Sequence, residues 1–376
     1  MTLQEAFAEV EDHRRGPAQR HDLKEMIVMA ICAVLCGADS WVDVADWCEG
    51  EEDWLGTFLD LANGTPSHDT FGQVFRVLDT GVFEQCFRQW VAGIVGVAQG
   101  VVAFDGKTVR GSKDGKNTAL HLVSAYATEL GVSLGQEGRA GKGHELAATK
   151  ALLETLVLKG CIVTMDALGC QTDVADKIVA QGADYVLAVK DNQKNLSQAI
   201  VEFFDTAEDC SFRHIDVQER TTTEKDHRRI ETRRAVLVTD VSWMDKPMRE
   251  NWKKLAGVGM IESRQEIKDK VSIERRYFIL SAGVKTVAQF ADAARAHWGV
   301  EAMHWVLDVT FREDDCRVRK DHAACNLSLI RKFALSALRT DTLHPTISLR
   351  RRRKLADRKP NYRETLLGIK PRDALV

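Results

Sequence analysis

The sequence contains no CxxC pair, no internal repeat and no apolar run long enough to cross a bilayer. Its nine cysteines are an odd number, and Cys32 and Cys36 stand four apart in an apolar run, which predicts reduced thiols facing a core. That run, MIVMAICAVLCGA, is shorter than the roughly 20 residues of a membrane span. The segment MTLQEAFAEVEDHRR is polar and acidic, so no signal peptide is expected. These absences predict a soluble intracellular protein.

Charge is unevenly distributed along the chain, although the net charge is only −3. Residues 1–100 contain 6 Lys or Arg and 17 Asp or Glu, a net of −11. Residues 331–376 contain 13 Lys or Arg and 4 Asp or Glu, a net of +9. This asymmetry indicates a basic terminal segment that contacts a polyanion, with a merely solvated tail as the alternative.

Hydrophobic periodicity separates a helical first part from a mixed second part. Apolar residues in the first part recur at spacings of three and four, anchored by Trp41, Trp47 and Trp54, and Ser67 or Asp69 is placed to cap a helix. The second part alternates short β-branched runs with amphipathic helices, which predicts an α/β fold with a mixed sheet covered by helices. The predicted units are a small all-helical domain at 1–98, an α/β domain at 99–340 in which strand-like sequence resumes from about 210 to 282, and a basic C-terminal tail at 341–376.

Two carboxylates share one local pattern. VVAFDG and CIVTMDA each place an acid, Asp105 and Asp166, after a run typical of a buried strand, and Gly106 is expected to break the first strand. Ligands of α/β sheets gather at the carboxyl ends of strands. Two carboxylates brought together at that edge repel each other unless a cation neutralises their charge. A divalent ion that prefers oxygen ligands, such as Mg²⁺, can provide this neutralising charge. The alternative is that each acid only caps the segment that follows.

A third acid, Glu301, lies in the helical segment ARAHWGVEAMHWVLDVTFRED. It stands between Trp298 and Trp305, so an otherwise core-facing helix would carry a charge there, which is costly without a metal or a partner. A zinc site is an alternative, although the HExxH order is absent. The zinc interpretation uses His297, Glu301, His304 and Asp308, and the fallback choices for the third acid are Asp308, Glu313 and Asp314.

The chain resembles the ISAs1-type insertion-sequence transposases, which include the H-repeat-associated proteins, in five successive blocks: FDGKTVRGS, HLVSAYATELGVSLGQ, IVTMDALGCQ, GADYVLAVKDNQ and HWGVEAMHWVLDVTFRED. The likeness covers nearly the whole chain, since HRRGPAQRHDLKEMIVMAICAVLCGADSW and GTPSHDTFGQVF resemble the helical domain that precedes the catalytic domain in that family. It implies a ribonuclease-H-like core with a β-rich insertion at about 200–282 and a D, D, E triad at Asp105, Asp166 and Glu301. In such a triad the acids bind two Mg²⁺ ions, for which Mn²⁺ can substitute.

The chain departs from the related group around the third acid. That group has a Tyr, Arg, Glu, Lys series, whereas Ala294, His297 and Asp308 stand at the other three positions when Glu301 is aligned. The Tyr and Lys functions are therefore absent or filled elsewhere. A family pattern resembling KSNEI appears here as KGHEL, in which Glu145 is retained.

Cations near these motifs are candidates for DNA contacts, because phosphate contacts supply much of the affinity for DNA. Lys107 and Arg110 follow the first acid and are expected to hold a phosphate, unless they are exposed loop charges. The segment ERTTTEKDHRRIETRR also carries four acids, so a solvated charged hairpin is the alternative there. The consecutive arginines of LRRRRKLADRKPNYR repel one another unless a polyanion is near. The contacts predicted from these two segments are His227, Arg228, Arg229, Arg233 and Arg234, then Arg350, Arg351, Arg352 and Arg353.

The residues and the resemblance together predict a metal-dependent DNA transposase. Its partners would be the double-stranded terminal repeats of its element and a target DNA, bound by a homodimer in the bacterial cytoplasm at the nucleoid. The helical domain would recognise the repeats or mediate dimerisation, and the sequence leaves both open. Two alternatives are a catalytically silent, transposase-derived DNA-binding protein and a nuclease of the same fold.

Overall fold

The computed structural model of the chain describes residues 2–115, 118–226, 229–267 and 270–370. The N-terminal part is helical, as predicted, and the cysteines of its apolar run, Cys32 and Cys36, are buried free thiols. Its helices are α1 (Leu3–Ala6), α2 (Leu23–Cys36), α3 (Trp41–Gly50), α4 (Glu52–Gly56), α5 (His68–Val77) and α6 (Thr80–Val95).

Side-chain caps set the starts of the longer N-terminal helices. An Asp or Ser oxygen accepts the backbone N–H three positions later, which satisfies one of the free donors at a helix start. Of the two candidate caps for α5, Ser67 does this, accepting the Thr70 N–H at 3.4 Å, so Ser67 is confirmed as the cap. The capping residues of α2, α3, α5 and α6 are Asp22, Ser40, Ser67 and Asp79.

A mixed sheet of nine strands, counted over the described ranges, forms the centre of the protein. The first five strands are ordered β3-β2-β1-β4-β5, with β1 antiparallel to β2 and parallel to β4, the arrangement of a ribonuclease-H-like core. These strands are β1 (Val101–Thr108), β2 (Leu120–Ala127), β3 (Val132–Ala140), β4 (Ile162–Met165) and β5 (Asp184–Val189).

The β-rich insertion is present, and it extends the central sheet instead of forming a separate unit. Its four strands make an antiparallel meander whose last strand pairs with β5, for example at Leu187 and Ile279. They are β6 (Val217–Asp226), β7 (Arg229–Val238), β8 (Leu255–Ile267) and β9 (Lys270–Ser281).

Helices cover both faces of this sheet because alternate strand residues are apolar on both sides. Phe104 packs with α7, α8 and α9 on one face, and its neighbour Ala103 packs with α12 and α13 on the other. The helices are α7 (Glu145–Thr155), α8 (Thr172–Ala180), α9 (Lys194–Asp209), α10 (Lys246–Glu250), α11 (Val287–Ala296), α12 (Trp298–Val309) and α13 (Ala323–Arg339).

Helix α13 joins the N-terminal helices to the sheet. It is buried along almost its whole length, and its apolar residues share one core with those of α2, α5 and α6. Its Asn326 side chain donates to the carbonyls of Phe75 (2.8 Å) and Leu78 (2.9 Å), which ties it to the end of α5. The N-terminal helices therefore pack directly on the part of the chain that contains the sheet.

The prediction of a basic C-terminal tail is wrong for the described residues of that segment. They form α14 (Leu349–Arg358) and α15 (Pro360–Leu367), which pack on the N-terminal helices. Arg353 donates to the carbonyls of Val34 and Thr310 and lies over the Phe311 ring at 4.3 Å. Arg363 is fully buried, with its guanidinium 3.9 Å from the centre of the Trp54 ring. These cations stabilise the fold from inside.

Among the described residues, no single helix has the length and apolar character to cross a membrane. One bent pair, α2 with α3 at 96°, meets that test by length and composition, and α2 is buried inside the protein.

Replacing Arg353 with Ala should lower the free energy of unfolding by about 3 kcal/mol, because buried carbonyls lose charged donors. Urea unfolding followed by circular dichroism measures this. The control is Arg350→Ala, on the exposed face of the same helix, which should stay within about 0.5 kcal/mol of wild type. Equal effects of the two substitutions would contradict the buried role of Arg353.

Candidate active site

Asp105 and Asp166 lie at neighbouring parallel strands, at the point where the shorter strand ends. β1 and β4 are in register at Phe104 and Met165, and each acid is the next residue along the chain. β4 ends at Met165, just before Asp166, whereas β1 continues for four more residues, Asp105 to Thr108, paired with β2. The expectation that β1 breaks at Gly106 is therefore wrong, since pairing with β2 holds that residue in the strand. At Asp105, β1 no longer pairs with β4.

Asp166 is held in place by the backbone. Its Oδ1 accepts the N–H groups of Leu168 (3.0 Å) and Gly169 (3.3 Å), so this acid does cap the turn that follows it. Burial raises the pKa of Asp166, and the negative charges of Asp105 and Glu145 raise it further, against the lowering effect of the Gly169 N–H. A nearby cation would therefore stabilise the ionised form of Asp166.

Glu145 is the acid whose place in the site the sequence did not reveal. It is the first residue of α7, and its Oε2 lies 2.6 Å from Nε2 of the buried His121 on β2. A Cβ on Gly106 would lie 2.4 Å from Glu145 Oε1 and 2.6 Å from His121 Nε2, so only glycine fits in front of this pair. Retention of Glu145 in the KGHEL block was the one signal that pointed to it.

Glu301 reaches the same region from α12. Burial raises its pKa, and Asp105 and Asp166 raise it further, while Arg276 lowers it. The argument that placed it on a core-facing surface is wrong, since Trp298 and Trp305 are 51% and 62% exposed. Glu301 is on the outer side of the helix, in a position to meet the strand-end acids from across the site.

The histidines of α12 do not form the zinc site that was considered. His304 places Nδ1 3.3 Å from Asp105 Oδ2, and its other ring nitrogen is buried without a partner. His297 lies 3.1 Å from the Thr164 hydroxyl, and burial lowers its pKa. Within the described ranges, no three His, Cys, Asp or Glu side chains are arranged to hold a metal ion. The carboxylates therefore surround the strand ends without meeting at one point.

Lys107 is turned into the protein, contrary to the prediction that it binds phosphate. Its side chain is 9% exposed, and its ammonium donates to Asp308 and, at 2.6 Å, to Glu313. Burial opposes ionisation of Glu313, but Lys107, Arg331 and Lys332 outweigh it and lower its pKa to about 2. Asp308 and Glu313, two of the fallback acids, thus serve an internal ion cluster that ties β1 to the end of α12.

Arg110 remains available for a ligand. Its side chain is 83% exposed, and its only ion pair among the described residues is with Asp314, the third fallback acid, at 3.4 Å. An exposed pair of this kind contributes little to stability and yields to a competing anion.

The arginines of β7 are paired with acids on the same sheet. Arg233 lies 2.7 Å from Glu231, and Arg234 lies 3.1 Å from Glu219. Arg229 also pairs with Glu231, at 2.7 Å. The charged-hairpin alternative therefore describes these cations in the free protein, and a DNA contact there requires an exchange of partners. The predicted contacts His227 and Arg228 lie outside the described residues.

The four arginines at the start of α14 divide into two pairs. Arg350 and Arg351 are exposed, as a DNA contact requires. Arg352 and Arg353 are each 7% exposed and donate to backbone carbonyls, so their prediction as DNA contacts is wrong. The helical spacing Leu349, Arg352, Arg353, Ala356 turns them inward.

Replacing Lys107 with Met should cost about 3 kcal/mol of unfolding free energy at pH 7, because Glu313 is left buried with fewer cations. The folded pKa of Glu313 is below its ordinary value, so its contribution is present above about pH 4.5 and is lost as the pH falls toward 2. The difference between wild type and the variant should therefore shrink at acidic pH. Arg110→Met, three positions away and exposed, is the matched control, and an equal loss in that variant at pH 7 would contradict the role of Lys107.

Comparison with known proteins adds independent information. Residues 98–337 match the Transposase DDE domain family, and residues 4–91 match the family described as DDE_Tnp_1-associated. A relative from Escherichia coli O157:H7, "Putative transposase YncI", is 37% identical over 345 residues, covering 90% of this chain and 87% of the relative. In Escherichia coli K12, "H repeat-associated putative transposase YhhI" is 36% identical over 374 residues, 97% of each chain.

A Xanthobacter autotrophicus relative, "Uncharacterized protein in dhlA 3'region", is 41% identical over 279 residues, 73% of this chain and 92% of the relative. The match to the DDE domain covers more than half of the chain, and it spans the sheet and the helices that carry Asp105, Asp166 and Glu301. The associated-domain match covers the helices that α13 joins to that sheet. The chain therefore belongs to the DDE transposase family.

Proposed function

We propose that this transposase cleaves and joins DNA strands at the carboxyl edge of its central sheet, with Asp105, Asp166 and Glu301 as its metal-binding acids. The observation that supports the proposal is the proximity of these carboxylates: the negative charge of Asp105 acts on both Asp166 and Glu301, and that of Asp166 also acts on Glu301. Acids that repel one another favour a bound cation, and catalytic metal sites have this character.

The donor chemistry fits Mg²⁺, with Mn²⁺ as a substitute. Carboxylate oxygens are hard ligands, and two ions between three such acids match the two-metal arrangement of phosphoryl transfer. When bound, the ions supply a more acidic water or 3′-hydroxyl and stabilise the departing oxygen. Because the three side chains do not meet at one point, they would have to turn toward one another to hold an ion together.

The surrounding residues have distinct tasks in this proposal. The Leu168 and Gly169 N–H groups fix one oxygen of Asp166. His304 orients Asp105 through its Nδ1. Glu145, paired with His121, adds a further oxygen donor next to Asp166. Such catalysis depends on positioning and charge, so loss of one acid is expected to be severe.

Double-stranded DNA, as terminal repeats and as target, is the proposed substrate. The exposed Arg110, Arg350 and Arg351 remain candidate phosphate contacts, and Arg229, Arg233 and Arg234 become available only if their acids release them. Because two DNA ends must be joined, a homodimer on DNA is proposed, at the nucleoid of a bacterial cell. The ISAs1-type assignment and the division at residues 98 and 340 stay predictions.

Cleavage and strand transfer of a labelled DNA that carries the ends of the element, in Mg²⁺, test the proposal. We expect joined products from wild type and a loss of about a thousandfold or more in Asp105→Asn, Asp166→Asn and Glu301→Gln. Asp315→Asn, an exposed acid nearby, is the control and should retain activity. Binding without cleavage would favour the silent DNA-binding alternative, and cleavage without joining would favour a nuclease.

Thermal unfolding with and without Mg²⁺ tests the metal site without an activity assay. In EDTA, Asp166→Asn should be at least as stable as wild type, because one repelling charge is gone. Added Mg²⁺ should stabilise wild type, by about 2.7 kcal/mol at a hundredfold excess over Kd, and should have little effect on the variant. The same Mg²⁺ stabilisation in both proteins would place the ion elsewhere.

A further inference from the structure

The N-terminal helices carry one cationic cleft, although residues 1–100 have a net charge of −11. The cleft has a volume of about 560 Å³ and is lined by Arg14, Arg20, His21 and Arg76 together with hydroxyl and amide side chains. None of its described lining residues is acidic. Four of the chemical groups that bind phosphate most often, guanidinium, imidazole, hydroxyl and amide, thus meet on one surface of an acidic unit. We call it the N-terminal cleft.

The cationic side chains of the N-terminal cleft differ in whether an acidic side chain neutralises them. Arg14 forms an ion pair with Asp12 at 2.7 Å, and only 9% of its side chain is exposed. Arg76 pairs with Asp321 at 3.1 Å, but both side chains are exposed, so the pair is weak and can open. Arg20 is exposed and has no carboxylate within ion-pair distance in the described part of the chain.

The loop at residues 310–322 contacts both the N-terminal cleft and the turn that follows β1. At one end of this loop the His322 N–H donates to the Arg76 carbonyl at 3.2 Å. Nearer the site, Arg319 donates to the carbonyl of Gly111, in the turn that follows β1, at 2.9 Å. The loop therefore bridges the cleft and the strand that carries Asp105.

The bridging loop also adds cations. Arg317 and Lys320 are exposed and have no ion-pair partner among the described residues. Arg110, beside Gly111, points outward with 83% of its side chain exposed. Arg110 is next to Gly111, which the loop contacts through Arg319, and Lys320 lies two residues before His322, which contacts Arg76 of the N-terminal cleft. On β7, by contrast, Arg229, Arg233 and Arg234 are paired with acids.

We propose that this path, from Arg110 through Arg317 and Lys320 to Arg20 in the N-terminal cleft, holds the phosphate backbone of one DNA duplex that extends from the active site. The inference rests on the proposed function and assigns the N-terminal helices a task in it. Duplex DNA carries about one charge per 1.7 Å of its axis, so it suits a row of separated cations better than a compact anion does. An acidic protein segment is the alternative occupant that the test addresses.

The test is binding of a fluorescein-labelled duplex of mixed sequence to the full chain, measured by anisotropy over a range of salt concentrations. Each lost phosphate contact should lower the slope of log K against log salt by about 0.9. Arg20→Ala and Lys320→Ala should each weaken binding several-fold and lower the slope by that amount. Arg20→Lys keeps the charge and should keep the slope.

Lys159→Ala is the matched control, because it removes one exposed charge just before β4, at the end of the strand opposite Asp166. It should bind as wild type does. If Arg20→Ala and Lys320→Ala match this control while wild type binds and cleaves, the path is refuted and an acidic protein partner takes its place. If wild type neither binds nor cleaves DNA, the proposed function has failed instead. Circular dichroism of each variant confirms that it is folded.

Discussion

The parallel pairing of β1 with β4 is the constraint on which the site depends. It places Asp105 beside Asp166 at the end of β4. The backbone hydrogen bonds of the sheet hold the two segments that carry these negatively charged side chains. The main chain at Asp105 is fixed by strand pairing, and one oxygen of Asp166 is fixed by the N–H groups of Leu168 and Gly169. Every other group around the site, from Glu145 to Glu301, acts on that fixed pair.

The features that depend on a local sequence pattern could be predicted from the sequence. Asp105 and Asp166 follow similar apolar runs, and the change from spacing of three or four to short β-branched runs marked the start of the sheet. Prediction from the sequence failed where the direction of a side chain matters. Trp298 and Trp305 looked like core residues, yet both are exposed, because α12 is covered on its other side. The amino-acid sequence of a helix does not show which of its faces other parts of the protein bury.

The misplaced cations have the same cause. Lys107 was assigned to phosphate because it follows the first acid, and Arg353 because it lies in a run of arginines. Neither argument includes the buried acceptors that surround these side chains. For Arg353 a signal existed, since apolar and arginine positions of α14 share one helical stripe. For Glu145 the only signal was a family block, because its approach to Gly106 arises when β1 and α7 come together in space. Contacts between distant segments were the part that the sequence did not reveal.

The position of helix α13 late in the chain has a consequence for shortened forms of this protein. The buried residues of this helix complete the core of α2, α5 and α6. A chain interrupted before residue 323 leaves the first helices with an uncovered apolar surface, which is expected to make the shortened product unstable. Because this late helix completes the early core, the N-terminal helices depend on synthesis of the chain through α13.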